Sequence, residues 1–303
     1  MQKRKIWENF LQWVLPCVLL VIALVLSIYD FNNKMEIAIQ TVVDDQAEQI
    51  GLYYAAGVED KLKALGNITD AVASIMAARL DRGEAFLNEK LDTLMKASDA
   101  YMVVYCATNG TGFLNDRRQI DMTELNYYDS ILGETPHYLF TRSDGINGQM
   151  AFIYVCPITN SGNVNGYLLS YMEPAEMSDL FENSVYGDRA FFSLVDRNGT
   201  IMACYGATQG TKILQNDFWN SLKGVAESLG SWTLFDRQQQ KGDNGILHVN
   251  ENGVGKILCH FPIADTAWNL VVGIDESYLS GIQQSFRGPI VDPVSYTHLR
   301  AHE

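Results

Sequence analysis

The most constraining feature of the sequence is an apolar run near its start. Residues 10–28 include only two polar side chains, Gln12 and Ser27, and no charged one. As a helix rising 1.5 Å per residue, the run is about 28 Å long, close to the hydrocarbon thickness of a bilayer. We therefore predict a transmembrane signal anchor at residues 10–31. A cleaved signal peptide is the alternative, but the run is longer than usual for one and no small-x-small cleavage site follows it.

Charge sets the expected orientation and excludes one class of partner. Lys3, Arg4 and Lys5 precede the apolar run, whereas the rest of the chain is acidic, with a formal net charge of -14 over 303 residues. The positive-inside rule then places residues 1–9 in the cytoplasm and the part after residue 31 outside the cell membrane. Because an acidic surface repels phosphate backbones, we expect no nucleic-acid partner.

Enzyme signatures are missing from the sequence. There is no GxSxG, HExxH or P-loop motif, and no CxxC or Cys/His cluster that suggests zinc. The five histidines are scattered along the chain. We therefore expect no catalytic residue, no cofactor and no metal in this chain.

A long stalk helix is predicted at residues 33–80, where there is no proline. Residues recur there at helical spacings of three and four: Met35, Ile39, Val42, Gln46, Ile50, Tyr53 and Gly57. This stripe packs either on the chain's own globular part or on a second copy in a homodimer. Gly51, Gly57 and Gly66 are expected to weaken the helix, and a second helix is predicted at 84–98.

After residue 98 the pattern changes to short β-prone runs separated by turns rich in Asn and Gly. The first series of predicted strands is 101–106, 138–142, 151–158 and 167–172, with short helices at 122–134 and 173–184. The second series is 190–195, 201–205, 232–235, 245–249, 256–263 and 268–274, with helices at 217–230 and 275–286.

Two short matches indicate that the second series repeats the first. Asn-Gly-Thr follows an apolar strand at 109–111 and again at 198–200. Cys-Pro-Ile at 156–158 and Phe-Pro-Ile at 261–263 each end a strand and precede the last strand of their series. The order predicts two similar lobes in tandem.

Three segments carry a resemblance to a known family. They are FFSLVDRNGTIMA at 191–203, WNLVVGIDESYL at 268–279, and the short helix with Tyr127 and Tyr128. Together they resemble the double Cache extracytoplasmic sensor domain of bacterial transmembrane receptors, over residues 33–286. The resemblance implies an α+β fold: an N-terminal transmembrane helix, a long stalk helix and two tandem PAS-like lobes, each with an antiparallel sheet.

The resemblance also implies domain bounds and a ligand site. Stalk and N-terminal helices would occupy 32–99, a membrane-distal lobe 100–186 and a membrane-proximal lobe 187–286. In that family the distal lobe commonly holds a small molecule, and its amino-acid-binding subset has an Arg-x-Trp-Tyr run on the short helix and an Asp ending the last strand. Here Leu125 replaces that arginine, and the strand ends Tyr171-Met172.

An aromatic pocket is therefore the hypothesis for the ligand site. Its candidate residues are Tyr127, Tyr128, Tyr154 and Tyr171, with Arg142 or Asp144 supplying a charge. The alternative is that these tyrosines are ordinary half-buried strand residues. The expected partners are a small-molecule ligand, the membrane and a second copy of the chain.

The last residues are interpreted separately. Residues 292–303, DPVSYTHLRAHE, resemble a translated sequencing-adapter fragment, so residues 287–303 are read as a truncated end with an artefact tail. The natural chain is expected to continue through a second membrane helix into a cytoplasmic output domain, by resemblance a diguanylate cyclase. A histidine kinase, a chemotaxis transducer, and a membrane-anchored solute-binding module without output are the alternatives. An extracytoplasmic hydrolase is disfavoured by the scattered histidines.

Overall fold

The structure is a computed structural model that describes residues 2–79, 82–182, 184, 189–206, 211, 213–214 and 217–277, with side chains from residue 17 onward. The predicted tail and most of the predicted helix at 275–286, called the exit helix below, lie outside these residues. The first 47 residues form a unit of their own, and residues 48–280 form a second compact unit. The α+β class with two antiparallel sheets is confirmed.

Most elements follow the predicted order, but the strands Thr111–Leu114 and Gln119–Asp121 were not predicted. The helices are α1 (Gln2–Ala77), α2 (Glu84–Ala97), α3 (Tyr128–Ile131), α4 (Ser178–Glu182), α5 (Phe218–Lys223) and α6 (Leu229–Lys241), with 3₁₀ turns at Met122–Glu124 and Pro174–Met177. The strands are β1 (Met102–Ala107), β2 (Thr111–Leu114), β3 (Gln119–Asp121), β4 (His137–Thr141), β5 (Ala151–Asn160), β6 (Asn163–Met172), β7 (Ala190–Asp196), β8 (Ile201–Gly206), β9 (Gly245–Glu251), β10 (Val254–Pro262) and β11 (Trp268–Asp275).

Helix α1 joins the apolar run and the predicted stalk without a break. Among the described residues, it is the one helix long and apolar enough to cross a membrane. Its apolar side chains from Val18 to Ile28 are exposed, as the prediction of a membrane span requires.

Within the second unit, the face of α1 that packs on the sheets differs from the predicted stripe. Buried residues there recur every three or four positions: Gly51, Tyr54, Val58, Leu62, Leu65, Thr69, Val72 and Met76. Tyr53 of the predicted stripe is 73% exposed, whereas Tyr54 is buried. A shift of one residue turns a helix face by about 100°, so the predicted stripe is not the packed face.

The glycines of α1 mark close contacts rather than breaks. Gly51 lies against the Phe261 ring of β10, and Gly66 lies against Tyr138 of β4 and Tyr154 of β5. The Tyr138 hydroxyl donates to the Leu62 carbonyl of α1 at 2.8 Å. The helix is continuous through all three glycines, and the missing Cβ at Gly51 and Gly66 lets a sheet approach its backbone. The expected weakening stays a prediction.

The two sheets have the same topology. The first, with the turns and helices between its strands, is lobe 1 and has the order β3-β2-β1-β6-β5-β4. The second is lobe 2, with the order β8-β7-β11-β10-β9, which repeats β2-β1-β6-β5-β4. The two Asn-Gly-Thr turns also correspond, since Gly110 and Gly199 share a φ of 87° that favours glycine. The predicted duplication is confirmed.

The predicted strand at 232–235 is wrong, because these residues belong to α6. Ser228 caps the helix by accepting a hydrogen bond from the Ser231 amide, and Gly242 ends it in the left-handed conformation. Trp232 and Phe235 are both buried, and their spacing of three places them on one face of a helix. The predicted helix at 217–230 is correspondingly shorter and ends at Lys223.

The two lobes touch through aromatic rings. Trp268, the first residue of β11 in lobe 2, lies 5.3 Å from Phe152 and 6.2 Å from Tyr138 of lobe 1, measured between ring centroids. Phe181 of α4, which follows β6, stacks on Tyr205 of β8 at 4.6 Å. Lobe 1 is therefore in direct contact with the strands of lobe 2.

Candidate functional site

A polar cavity of about 520 Å³ opens into lobe 1. One wall comes from the segment between β2 and α3, and the other from the loop between β4 and β5. The lining residues are Arg118, Ile120, Asp121, Glu124, Leu125, Asn126, Ser143, Gly145 and Ile146. The volume suits a small molecule rather than a macromolecule.

The first wall is held by a capped turn. The Asp121 carboxylate accepts hydrogen bonds from the Thr123 amide at 2.9 Å and the Thr123 hydroxyl at 2.6 Å. These bonds start the 3₁₀ turn Met122–Glu124 and lower the pKa of Asp121, so it is ionised at neutral pH. Asp121 and Glu124 thus give this wall negative charge.

Arg118 supplies the positive charge of the cavity. Its Nε donates to Asp116 at 2.6 Å and its Nη2 donates to Asn147 at 3.3 Å. Burial alone would raise the pKa of Asp116, but the hydrogen bonds from the Arg118 amide and guanidinium outweigh it and the pKa is lowered. Because half of the Arg118 side chain is exposed, its guanidinium still has donors for a bound anion.

The second wall is organised by Asp144, whose side chain is buried. Its Oδ1 accepts the amides of Ile146, Asn147 and Gly148 at 2.9, 2.7 and 2.7 Å, and its Oδ2 accepts the Tyr101 hydroxyl at 2.8 Å. Burial alone would raise the pKa of Asp144, but these bonds outweigh it and the pKa is lowered. The carboxylate therefore holds the conformation of the loop, and it shapes the cavity without lining it.

Tyr127 and Tyr171 support the same loop. The Tyr127 hydroxyl donates to the Asp144 carbonyl at 2.7 Å and lies 3.2 Å from the Tyr171 hydroxyl. Burial raises the pKa of both phenols, that of Tyr127 to about 12. They are neutral side chains of the lobe 1 core, packed with Met102, Val104, Ile153 and Leu169 among others.

The structure thus brings together three of the six predicted site residues, Tyr127, Asp144 and Tyr171. Tyr128 is half-buried against the same core, and Arg142 is exposed beside Ser143; neither lines the cavity.

Tyr154 lies on the opposite face of the lobe 1 sheet. Its hydroxyl donates to the Asp70 carboxylate of α1, at 2.9 and 3.0 Å from the two oxygens. Burial and the Asp70 charge together raise the pKa of Tyr154. Its contacts make Tyr154 part of the packing between lobe 1 and α1.

The sequence-based hypothesis did not include the residues that line the cavity. A signal for the first wall was present: Asp121 and Glu124 have the Asp-x-x-Glu spacing that is typical of a capped turn. Arg118 stands three residues before it. The wall was missed because β2 and β3, which frame it, are only four and three residues long.

Comparison with solved structures identifies the fold. The ligand-binding domain of the Pseudomonas fluorescens chemoreceptor CtaA, solved with L-isoleucine, has a TM-score of 0.64 at 13% identity, covering 81% of this chain and 97% of that one. The sensory domain of the Campylobacter jejuni chemoreceptor Tlp3, solved with isoleucine, has a TM-score of 0.57 at 16% identity, covering 80% and 95%.

The chain has the fold of extracellular sensor domains. The extracellular domain of the candidate histidine kinase rpHK1S-Z16 is also similar, with a TM-score of 0.59 at 15% identity, covering 79% of this chain and 98% of that one. No family model and no curated protein matches the chain. At such low identity the sensor-domain likeness establishes fold alone, so ligand and output must be argued from the residues.

Proposed function

We propose that the chain is the extracytoplasmic, ligand-sensing input region of a bacterial transmembrane signalling receptor. The observation that carries the proposal is a polar cavity in lobe 1 of a sensor-domain fold. The apolar first part of α1 would anchor the chain in the cell membrane, with residues 1–9 in the cytoplasm. In this proposal the chain itself catalyses nothing.

The order of contacts along α1 supports lobe 1 as the membrane-distal lobe. Phe261 and Phe192 of lobe 2 pack on Gly51 and Tyr54, which are closer in sequence to the apolar run. Lobe 1 contacts α1 further on, and its Ser170 hydroxyl lies 2.7 Å from that of Thr69. Lobe 2 would then stand between the ligand cavity and the membrane.

The charges of the cavity favour a small zwitterion or an amine. Glu124 and Asp121 can face an ammonium group, and Arg118 can face a carboxylate. This set differs from the Arg-x-Trp-Tyr and Asp pattern of the amino-acid-binding double Cache domains. It nevertheless offers both signs of charge, and the solved neighbours include domains in complex with isoleucine and serine.

The predicted site residues take different roles in the proposal. Tyr127, Asp144 and Tyr171 position the second wall, while Tyr128 and Arg142 stay proposed ligand contacts beside the cavity lining. Tyr154 is assigned to the contact with α1 instead. Substitution of Arg142 by alanine tests its proposed ligand contact, because its side chain is exposed and its loss leaves the core unchanged.

A ligand screen tests the proposal. The full chain in detergent is melted with amino acids, amines, short carboxylates, purines and sugars, and a ligand at 100 times its Kd stabilises by about 2.7 kcal/mol. We expect a zwitterion or an amine to raise the Tm, and Arg118→Ala or Glu124→Gln to abolish the increase. Arg237→Ala, an exposed arginine of lobe 2, is the matched control. No increase with any compound, or an increase that the cavity variants leave intact, would contradict the proposal.

The output domain is proposed from resemblance. A diguanylate cyclase is the first expectation. A chemotaxis transducer or a histidine kinase draws support from the solved neighbours, which come from chemoreceptors and a candidate histidine kinase. The gene sequence downstream of codon 286 in an uninterrupted genome copy decides between them. A stop codon soon after the exit helix would favour a solute-binding module without output.

A homodimer through α1 is the proposed assembly. The predicted stripe does not pack on the chain's own lobes at Tyr53, and Val42 of the same stripe is 55% exposed. A helix face with exposed Val and Tyr is suited to a second copy. Tyr53→Cys should cross-link two chains in membranes, and Glu182→Cys, at an exposed position of α4, should not. Equal cross-linking at both positions would contradict this assembly.

A further inference from the structure

Lobe 2 contains a histidine in an apolar environment. His260 lies on β10, on the sheet face that α5 and α6 cover, and it is 0% exposed. Its ring centroid lies 4.5 Å from that of Phe235 of α6 and 6.4 Å from that of Trp219 of α5, in T-shaped geometry with interplanar angles of 87° and 81°. Gly245 of β9 faces the ring from the neighbouring strand, where a Cβ would collide with it.

The ring has no polar partner in the part of the chain that the structure describes. Neither Nδ1 nor Nε2 of His260 makes a hydrogen bond, and the Oδ1 of Asn269 on β11 is also buried and unbonded. Burial lowers the pKa of the ring, and the nearby Phe235 backbone and Asn269 side chain offset only part of that effect. Neither group makes a hydrogen bond of normal geometry with the ring. An imidazole ordinarily has a donor and an acceptor satisfied when buried, so this site is costly even when neutral.

No charge faces the ring from the packed elements either. Gln238 of α6 and Asn269 of β11 are its uncharged polar neighbours. The charged and titratable residues of the same elements are placed elsewhere. Lys223, Arg237 and Lys241 are exposed, Asp236 accepts from Gln240, and Glu251 and Lys256 pair with each other. Asp275 lies at the far end of β11, opposite Lys256, and His248 of β9 pairs with Glu276. A proton on His260 would therefore create a buried cation without a counter-charge.

We propose that His260 makes lobe 2 responsive to acid: protonation of its ring favours a state in which α5 and α6 separate from the sheet and the ring reaches water. This input is independent of the ligand cavity in lobe 1. Strand β11 runs beside β10 and leads directly to Glu276 in the predicted exit helix. Opening of lobe 2 would therefore affect the strand that connects the lobes to that helix.

The sign and size follow from linkage. Burial lowers the pKa of His260 from 6.5 to about 4, so the folded lobe excludes a proton that the opened lobe binds. The free energy that keeps lobe 2 closed has its full value above pH 6.5 and decreases as the pH falls toward 4. These values give about a 20-fold increase in the equilibrium constant for opening between pH 7 and pH 5.

Amide hydrogen exchange of the full chain in lipid nanodiscs tests the proposal. Rates at pH 7 and pH 5 are corrected for the intrinsic pH dependence of exchange. We expect peptides from β9, β10 and β11 to exchange about 20-fold faster at pH 5, with lobe 1 unchanged. His260→Leu should remove the acceleration, whereas His248→Gln, which changes a partly exposed histidine paired with Glu276, should keep it. No acceleration in the unaltered chain, or equal acceleration in His260→Leu, would overturn the proposal.

A second measurement covers a failure of His260→Leu to fold. In the unaltered chain with isotope-labelled histidine rings, the His260 resonances should stay those of a neutral ring from pH 7 to pH 5. A His260 ring that titrates near pH 6.5 in the folded chain would refute the proposal. The ligand screen is unaffected by either outcome, because it reports on lobe 1.

Discussion

Replacing Gly51 by alanine tests how α1 packs on lobe 2. Helix propensity alone favours alanine over glycine by about 1 kcal/mol. Here the new Cβ would overlap the Phe261 ring, which is buried and cannot turn away into solvent. Overpacking a filled core costs about 1–3 kcal/mol, and the overlap is severe enough to need the upper part of that range. We therefore expect Gly51→Ala to lower the free energy of unfolding by about 1–2 kcal/mol.

Gly57→Ala is the matched control in the same helix. Its Cβ would lie 3.4 Å from the nearest methyl of Leu180, an ordinary contact. The propensity gain then remains, and Gly57→Ala should stabilise by up to about 1 kcal/mol. Thermal unfolding of the full chain in detergent, followed by tryptophan fluorescence, should move about 2–4 °C per kcal/mol, in opposite directions for the two variants. An increase in Tm for both would refute this packing of α1.

Three further predictions concern the lobes. Asp144→Asn should destabilise by about 1.5–3 kcal/mol in denaturant unfolding. The asparagine side chain has a single oxygen, which cannot accept both from the Tyr101 hydroxyl and from the three backbone amides that the two carboxylate oxygens now serve. Because the pKa of Asp144 is lowered in the folded chain, its contribution to stability is present above its usual pKa of 3.8 and is lost as the pH falls through the lower folded value. Asp144→Asn should therefore make the free energy of unfolding depend less on pH in the acid range. An unchanged pH dependence would contradict this. Trp268→Ala should cost about 3–5 kcal/mol and separate the melting of the two lobes, whereas Trp268→Phe should keep one transition; one transition in both would exclude Trp268 as the link. Tyr154→Phe should destabilise by about 1 kcal/mol without changing ligand affinity, and a loss of affinity would return Tyr154 to the site.

Much of the fold could be predicted, because every strand of the lobes except the short β2 and β3 is a run of β-prone residues ended by a turn. The repeated Asn-Gly-Thr turn was informative, since Gly110 and Gly199 need a conformation that glycine adopts easily. The segment 232–235 failed because four apolar-rich residues are too few to separate a period of 2 from one of 3.6. The face of α1 failed similarly, since apolar residues occur on more than one side of the helix.

The candidate site was less predictable, because it depends on strand register. Tyr154 pairs with Ser170 and Ile153 pairs with Tyr171, so Tyr154 and Tyr171 lie on opposite faces of the sheet. Their sequence positions alone do not give this register. Asp144 was predicted as a charge for the ligand, but three loop amides already use its Oδ1, which is a property of the loop conformation. The presence of a carboxylate at residue 144 could be read from the sequence, but the groups that it contacts could not.

Locating a bound ligand is the most direct test of a ligand-sensing role for lobe 1. Hydrogen exchange of the full chain in nanodiscs is compared with and without the compound that raises the Tm most in the screen. We expect slower exchange in two separate segments, residues 118–126 and 143–146, because they form the two walls of the cavity. Arg118→Ala should remove this protection, and Arg237→Ala should retain it. Protection confined to lobe 2, or to α1 alone, would contradict a ligand-sensing role for lobe 1.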